Sequence, residues 1–584
     1  MPEEAGKADN IRDIKRVIKR TKRGSRAAGS TLLLNLVTEK EPQVRKLIRK
    51  CFVKMQHLLP KLEELLKAMG KEVSDLIESF KAMKVSLELP AHLKGVSRNI
   101  CLGEVIYLRL AGRPGFVSVC FLLCLFVFRL GDNDLGDSGV KLVSAALRNP
   151  DCKIQTLRLQ RVGLTDSGAE DLASVLSTNH TVTWLDLCGN KLGDSGVKLV
   201  SAALRHPDCK IQTLRLDSVG LTDSGAEDLV SAISTNHTVT WLDISGNKLG
   251  NSGVKLVSAA LSNPDCKIHT LGLQRVGLTD SGAEDLVSAL STNHTVTWLD
   301  LSGNKRGNSG VKLVSAALRH PHCKIQRLGL QRVGLTDSGA EDLVSALSTN
   351  HTVTWLDLSG NKLGNSGVKL VSAALWNPDC KIQRLWLQRV GLTDSGVEDL
   401  VSALSTNHTV TWLDLSGNKL GNSGVKLVSA ALRHPDCKIQ ILGLQRVGLT
   451  DSGAEDLVSA LSTNHTVTWL DLSGNKLGNS GVKLVSAALR NTDCKIQRLG
   501  LGSVGLTDSG AEDLVSTLST KPSLTKLYLT HNSLTDRCVP ALRRLILNLP
   551  SLELIGLRVN KFSATGKKEL RSLQESRPGL RVDV

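Results

Sequence analysis

Histidine and cysteine recur in this 584-residue chain at a fixed step, and both can ligate metals or act as acids, bases and nucleophiles. His180, His237, His294, His351, His408 and His465 stand 57 residues apart, and Cys152, Cys209, Cys266, Cys323, Cys380, Cys437 and Cys494 keep the same step. A zinc site needs several ligands within about 2.3 Å of one ion. A regular array does the opposite, because equivalent residues two strands apart are separated by at least ~9.6 Å. That also exceeds the ~7 Å limit between the Cα atoms of a disulfide. The cysteines therefore read as small, reduced core residues of a loop and the histidines as surface residues, with no metal and no cofactor expected. Each histidine also lies in an Asn-His-Thr triplet, from Asn179 to Asn464, which matches the N-glycosylation acceptor pattern. The opening MPEEAGKADN has no apolar signal core, and many thiols lack partners, so a cytoplasmic protein is expected. No Ser/His/Asp set is singled out among near-identical copies. The nearest approach to a phosphate-binding loop, Thr565-Gly566-Lys567-Lys568, has Lys561 where the first glycine is required. An enzyme is not expected.

The informative residues are aromatic and charged. Trp184, Trp241, Trp298, Trp355, Trp412 and Trp469 also keep the 57-residue step, each followed two residues later by an aspartate: Asp186, Asp243, Asp300, Asp357, Asp414 and Asp471. The copies are so alike that comparing them works as an internal alignment. Differences concentrate at a few positions in the alternate half-units, among them Arg215, Arg327, Arg384, Trp386, Ile441 and Arg498. Exposed Trp and Arg dominate interface hot spots, so these positions are candidate protein-binding residues. In this reading Trp355 lies between Arg327 and Arg384, where a cation–π contact is worth ~0.5–2 kcal/mol.

The elements that must position them follow from the repeat. Each 57-residue unit divides into two halves, LxLxxNxL (Leu185, Leu187, Asn190, Leu192) and LxLxxVGL (Leu214, Leu216, Val219, Leu221). The first Leu-like position falls at 128, 157, 185, 214 and onward to 555, giving sixteen units at steps of 28 or 29. The alternating run is a short strand with its leucines inward. A stretch such as SGVKLVSAAL then has apolar residues at helical spacing, with Val197, Leu199, Val200, Ala203 and Leu204 as its buried face and Gly196 allowing close approach. One strand and one helix cannot bury their own apolar faces, so units must stack. A helix is about twice as wide as the ~4.8 Å strand spacing, so stacking curves the array with strands on the inside. Trp184, Asp186 and their counterparts then line the concave face.

These motifs resemble ribonuclease-inhibitor-type leucine-rich repeats. The runs SGVKLVSAALRHPDCKIQ and VGLTDSGAEDLVSAL are especially similar to the repeat tails of NOD-like receptor (NLR) proteins. The resemblance covers residues 128–584 and implies an α/β leucine-rich-repeat horseshoe solenoid. One departure concerns Val162, Val219, Val276, Val333, Val390, Val447 and Val504, which stand where the family often has Cys or Asn. The loss of a polar group predicts looser turns in alternate units.

The ends differ from the array. Residues 1–113 carry 24 basic and 13 acidic side chains, residues 114–536 carry 39 of each, and residues 537–584 carry 10 and 4. A basic groove along the whole body is thereby disfavoured, and no nucleic-acid partner is expected. Residues 1–43, with KRVIKRTKRGSR, read as a basic flexible tail, a nuclear address being the alternative. Residues 44–100 read as a helical segment, in which two apolar stripes suggest an amphipathic hairpin able to oligomerise through 44–84. Residues 101–127 form an apolar junction. The run FVSVCFLLCLFVF at 116–128 is shorter than the ~20 residues that span a bilayer. Its end is in phase with the repeats, which favours a buried strand over a membrane segment. The segment before the array leaves no room for a NACHT nucleotide-binding module. The expected function is a non-enzymatic scaffold that binds a protein on its concave face, which the resemblance places among innate-immune NLR-like regulators. The alternatives are inhibition of a ribonuclease, which calls for an acidic concave field, and regulation of a small GTPase, for which no Arg can be nominated.

Overall fold

The structure, a computed structural model, describes residues 105–107, 127–149, 152–305, 307–491, 494–518, 523–577 and 579–584. The basic run at 10–26, the apolar stripes at 44–84 and residues 116–126 lie outside the described residues. Contacts divide the chain into Met1–Lys84 and Val85–Val584, and the second unit holds the array. Its strands are three residues long, and each pairs in parallel with the next in the chain, from β1 (Val105–Tyr107) and β2 (Val127–Arg129) to β18 (Arg581–Asp583). Parallel neighbours require a crossover, and helices from α1 (Gly136–Leu147) to α16 (Ala564–Ser576) supply it. The sheet stays open, as a leucine-rich-repeat solenoid. Strand β1 pairs Ile106 with Phe128, so one strand precedes the first unit read from the sequence.

The core is the predicted one. Leu185 and Leu187 are fully buried, and so are Val197 and Val200 of the helix Gly193–Leu204. Leu199 is only partly buried, and Ser201 takes a place on the buried face instead. A Cβ on Gly196 would stand 3.2 Å from Asp166 Cα of the preceding unit, so glycine here sets how closely two units stack. Phe128 and Leu130 are buried in phase with the later leucines. No helix among the described residues is long and apolar enough to cross a membrane.

The valine turns are not loosened. Asn190 Oδ1 accepts from the amides of Val162 (3.0 Å) and Leu164 (3.1 Å), while its Nδ2 donates to the carbonyls of Leu159 (2.7 Å) and Leu187 (2.8 Å). Asn304 and Asn418 serve Val276 and Val390 in the same way. One asparagine therefore satisfies its own turn and the one before it. The polar group missing from each valine turn comes from the next unit, where the motif of a single unit does not show it.

Candidate functional site

Register places the first residue of each strand in one column along the sheet: Trp298 opposite Arg327, Arg327 opposite Trp355, and Trp355 opposite Arg384. Equivalent tryptophans are two strands apart, yet their rings meet. Ring centroids are 5.9 Å apart for Trp184–Trp241, 5.3 Å for Trp241–Trp298 and 6.5 Å for Trp298–Trp355. The indoles lean across the intervening residue, which is small at Thr213 and Thr270 and long at Arg327. Trp386, from the third strand position, completes the path with centroids 4.7 Å from Trp355 and 4.9 Å from Trp412, and Trp469 follows at 5.8 Å. All seven rings are half-buried. The path covers the indole N–H groups of Trp184, Trp298 and Trp469, which are buried without an acceptor. An unmet buried donor costs about 1–3 kcal/mol.

The arginines do not enclose Trp355. Arg327 lies over Trp298, with its guanidinium carbon 5.3 Å from the ring centroid, and Arg384 lies over Trp412 at the same distance. Arg498 covers Trp469 at 5.6 Å. Neither Arg327 nor Arg384 lies over Trp355, whose ring meets Trp298 and Trp386 instead. The expected sandwich is thus replaced by ring-on-ring contact, with cations on the neighbouring indoles.

The third strand position forms a second column. Asp186 is covered: Arg215 donates to its carboxylate at 3.1 Å and to Asp243 at 3.3 Å, leaving Asp186 3% exposed. Of the predicted contact residues it is the one the fold withdraws from the surface. Further along, Gly272, Gly329, Gly443 and Gly500 stand beside Asp243, Asp300, Asp414 and Asp471, whose carboxylates fill the space a Cβ would take. Gln274, Gln388 and Gln445 donate to Asp300, Asp414 and Asp471, each at 2.6 Å. Asp357 differs, because Trp386 replaces the glycine on one side. Burial pushes its carboxyl above the ordinary value against hydrogen bonds from Ser359, and the charges of Asp300 and Asp414 push it further up.

The other recurrent residues are structural. Burial pushes the thiols of Cys209, Cys266, Cys323, Cys380 and Cys437 up, away from reactivity. Asn236 Nδ2, the atom a glycan would occupy, donates to the Leu204 carbonyl at 2.8 Å, and Oδ1 accepts from the amides of Thr238 and Val239. Asn293, Asn350, Asn407 and Asn464 are engaged in the same way. The triplets are loop caps whose histidines, from His180 to His465, point outward. Among the described residues no group of His, Cys, Asp or Glu is arranged to hold a metal ion.

An open parallel solenoid with a side-chain-lined inner sheet defines a repeat protein of the leucine-rich class. Residues 178–201, 235–258, 349–372, 406–429 and 463–486 match the Leucine Rich repeat family. The chain is 38% identical over 413 residues to NACHT, LRR and PYD domains-containing protein 14 of Homo sapiens, which covers 70% of this chain and 38% of that protein. It is 33% identical over 395 residues to ribonuclease inhibitor of Mus musculus, covering 68% of this chain and 87% of the inhibitor. The inhibitor of Sus scrofa matches at 33% over 71% of this chain and 89% of its own length. The chain belongs to the NLR-like leucine-rich-repeat proteins with ribonuclease-inhibitor-type repeats.

Proposed function

We propose that the chain is a non-enzymatic scaffold that holds a protein partner against its concave face, acting in the cytoplasm as an NLR-like regulator of innate immunity. One observation carries this reading: a continuous path of seven half-buried indoles, from Trp184 to Trp469, that leaves three indole N–H groups without acceptors. The fold has no need of it, since the sheet is already covered on its other side by helices, and large aromatic side chains left at a surface mark binding sites. Arg327, Arg384 and Arg498 flank the path, while Asp300, Asp357, Asp414 and Asp471 run beside it. A partner with apolar anchors and both signs of charge fits this lining. The test is affinity capture with the full chain and with Trp355→Ala/Trp412→Ala, followed by titration of each lost prey as a purified protein. The variant should stay folded, with its melting lowered by the lost ring contacts, and lose the purified prey. A prey that binds both proteins equally would remove the concave face from the reading.

Inhibition of a ribonuclease is the second reading, favoured by the match across 87% of the mouse inhibitor and by the carboxylate column. The equal charges of residues 114–536 oppose it, because a basic enzyme calls for an acidic field. A ribonuclease assay with purified protein separates the two.

A further inference from the structure

The edge where each strand turns toward its helix carries charge that the indole path does not use. Arg275, Arg332, Arg389 and Arg446 stand on this edge two strands apart, about 9.6 Å at the ~4.8 Å strand spacing. All four are exposed and none is ion-paired among the described residues, whereas Arg161 at the equivalent place pairs with Asp132 at 2.9 Å. Their φ angles are 49°, 53°, 50° and 51°, in the left-handed region where glycine or asparagine is cheaper. Each lays its stem over a glycine of the next turn, Gly303, Gly360, Gly417 or Gly474, where a Cβ would strike the Arg Cγ. These glycines fix the arginines in register. A lysine from each intervening strand, from Lys248 to Lys476, is exposed along the same edge and without an ion-pair partner among the described residues, whereas the helical Lys369 and Lys426 pair with Asp399 (3.4 Å) and Asp456 (3.9 Å). Between Arg389 and Arg446 a groove of about 160 Å³ adds Ser416 and Ser473 to the lining.

We propose that this arginine row binds an acidic helix of a protein partner, with carboxylates spaced to match the row. A helix returns the same face every seven residues, ~10.5 Å at ~1.5 Å per residue. An extended chain does not match, because residues ~10 Å apart point to opposite faces. A nucleic acid stacking on the indoles would have to carry its phosphates past the column of Asp300, Asp357, Asp414 and Asp471, which repels them. The row is separate from the indole path and binds whether or not that path is the docking face.

The experiment uses the full chain and a designed helix of about 28 residues with Glu at every seventh position. Its isomer of equal composition, with Glu at every fifth position, and a poly-U oligonucleotide serve as rival probes. Arg275→Gln/Arg332→Gln/Arg389→Gln/Arg446→Gln is compared with Lys255→Gln/Lys369→Gln/Lys426→Gln/Lys483→Gln, which removes equal charge from the helical face. Affinity for the heptad helix should fall about tenfold in the arginine variant, as four weak exposed pairs together allow, and hold in the lysine variant. Equal loss in both variants, equal binding of the isomer, or arginine-dependent binding of poly-U in preference to the helix overturns the proposal. Should the quadruple variant unfold, Arg332→Gln/Arg389→Gln is measured in the same way.

Discussion

Trp386→Gly returns one strand to the residue found at the same place in Gly329 and Gly443, and it tests the concave face most directly. It removes the contacts at 4.7 and 4.9 Å with Trp355 and Trp412. Two aromatic pairs at ~0.5–1.5 kcal/mol each give a loss of about 1–3 kcal/mol. Part of that returns, because Asp357 can fold over the new glycine as Asp300 does over Gly329. The sign of the pH dependence follows from Asp357. Its folded pKa is raised by burial, with a contribution from the charges of Asp300 and Asp414. The stability linked to it is therefore complete below the unfolded value of about 3.9 and is lost as pH rises through the folded value. Freeing the carboxyl reduces that loss, so Trp386→Gly should destabilise more at pH 4 than at pH 7. Thermal melts at both pH values measure the difference, and circular dichroism of the coupled indoles reports the broken path. An unchanged aromatic signal, or a larger destabilisation at pH 7, would refute the reasoning.

Two further outcomes follow from the ladders. Asn304→Ala strands the amides of Val276 and Leu278 and should cost about 2–4 kcal/mol, seen as a lower denaturant midpoint and lost hydrogen-exchange protection at those two amides; retained protection would show that the asparagine is dispensable. Burial raises the carboxyls of Asp137, Asp194 and Asp508, but hydrogen bonds led by Thr165, Thr222 and Thr535 outweigh it and hold them below the ordinary value. Their stability is present above pH ~4 and lost as pH falls, so Asp137→Asn/Asp194→Asn/Asp508→Asn should lower the melting temperature at pH 7 and lose that effect as pH falls through the carboxylate range; a variant that melts like the parent at pH 7 argues against the bonds.

The period, the buried leucines and the column of tryptophans were legible because alternation and repetition decide them residue by residue. The directions of the side chains were not. Arg327 and Arg384 lie over Trp298 and Trp412, and Trp386 against Trp355, through contacts between residues of different units. Asp186 falls under Arg215 in the same way. The valine turns looked incomplete because the asparagine that serves them belongs to the following unit, and the left-handed arginines left no mark on the apolar pattern.

The shared asparagine also constrains how such an array can change in length. Removing a whole 57-residue pair rejoins a valine turn to an asparagine neighbour and keeps the network intact. Removing an asparagine half would set two valine turns side by side, with a set of amides orphaned, whereas two asparagine units stack without loss, as Asn532 and Asn560 do by sharing the Leu529 carbonyl. Gene-level gain and loss that leave a folded product are thereby restricted to steps that keep an asparagine unit after every valine unit.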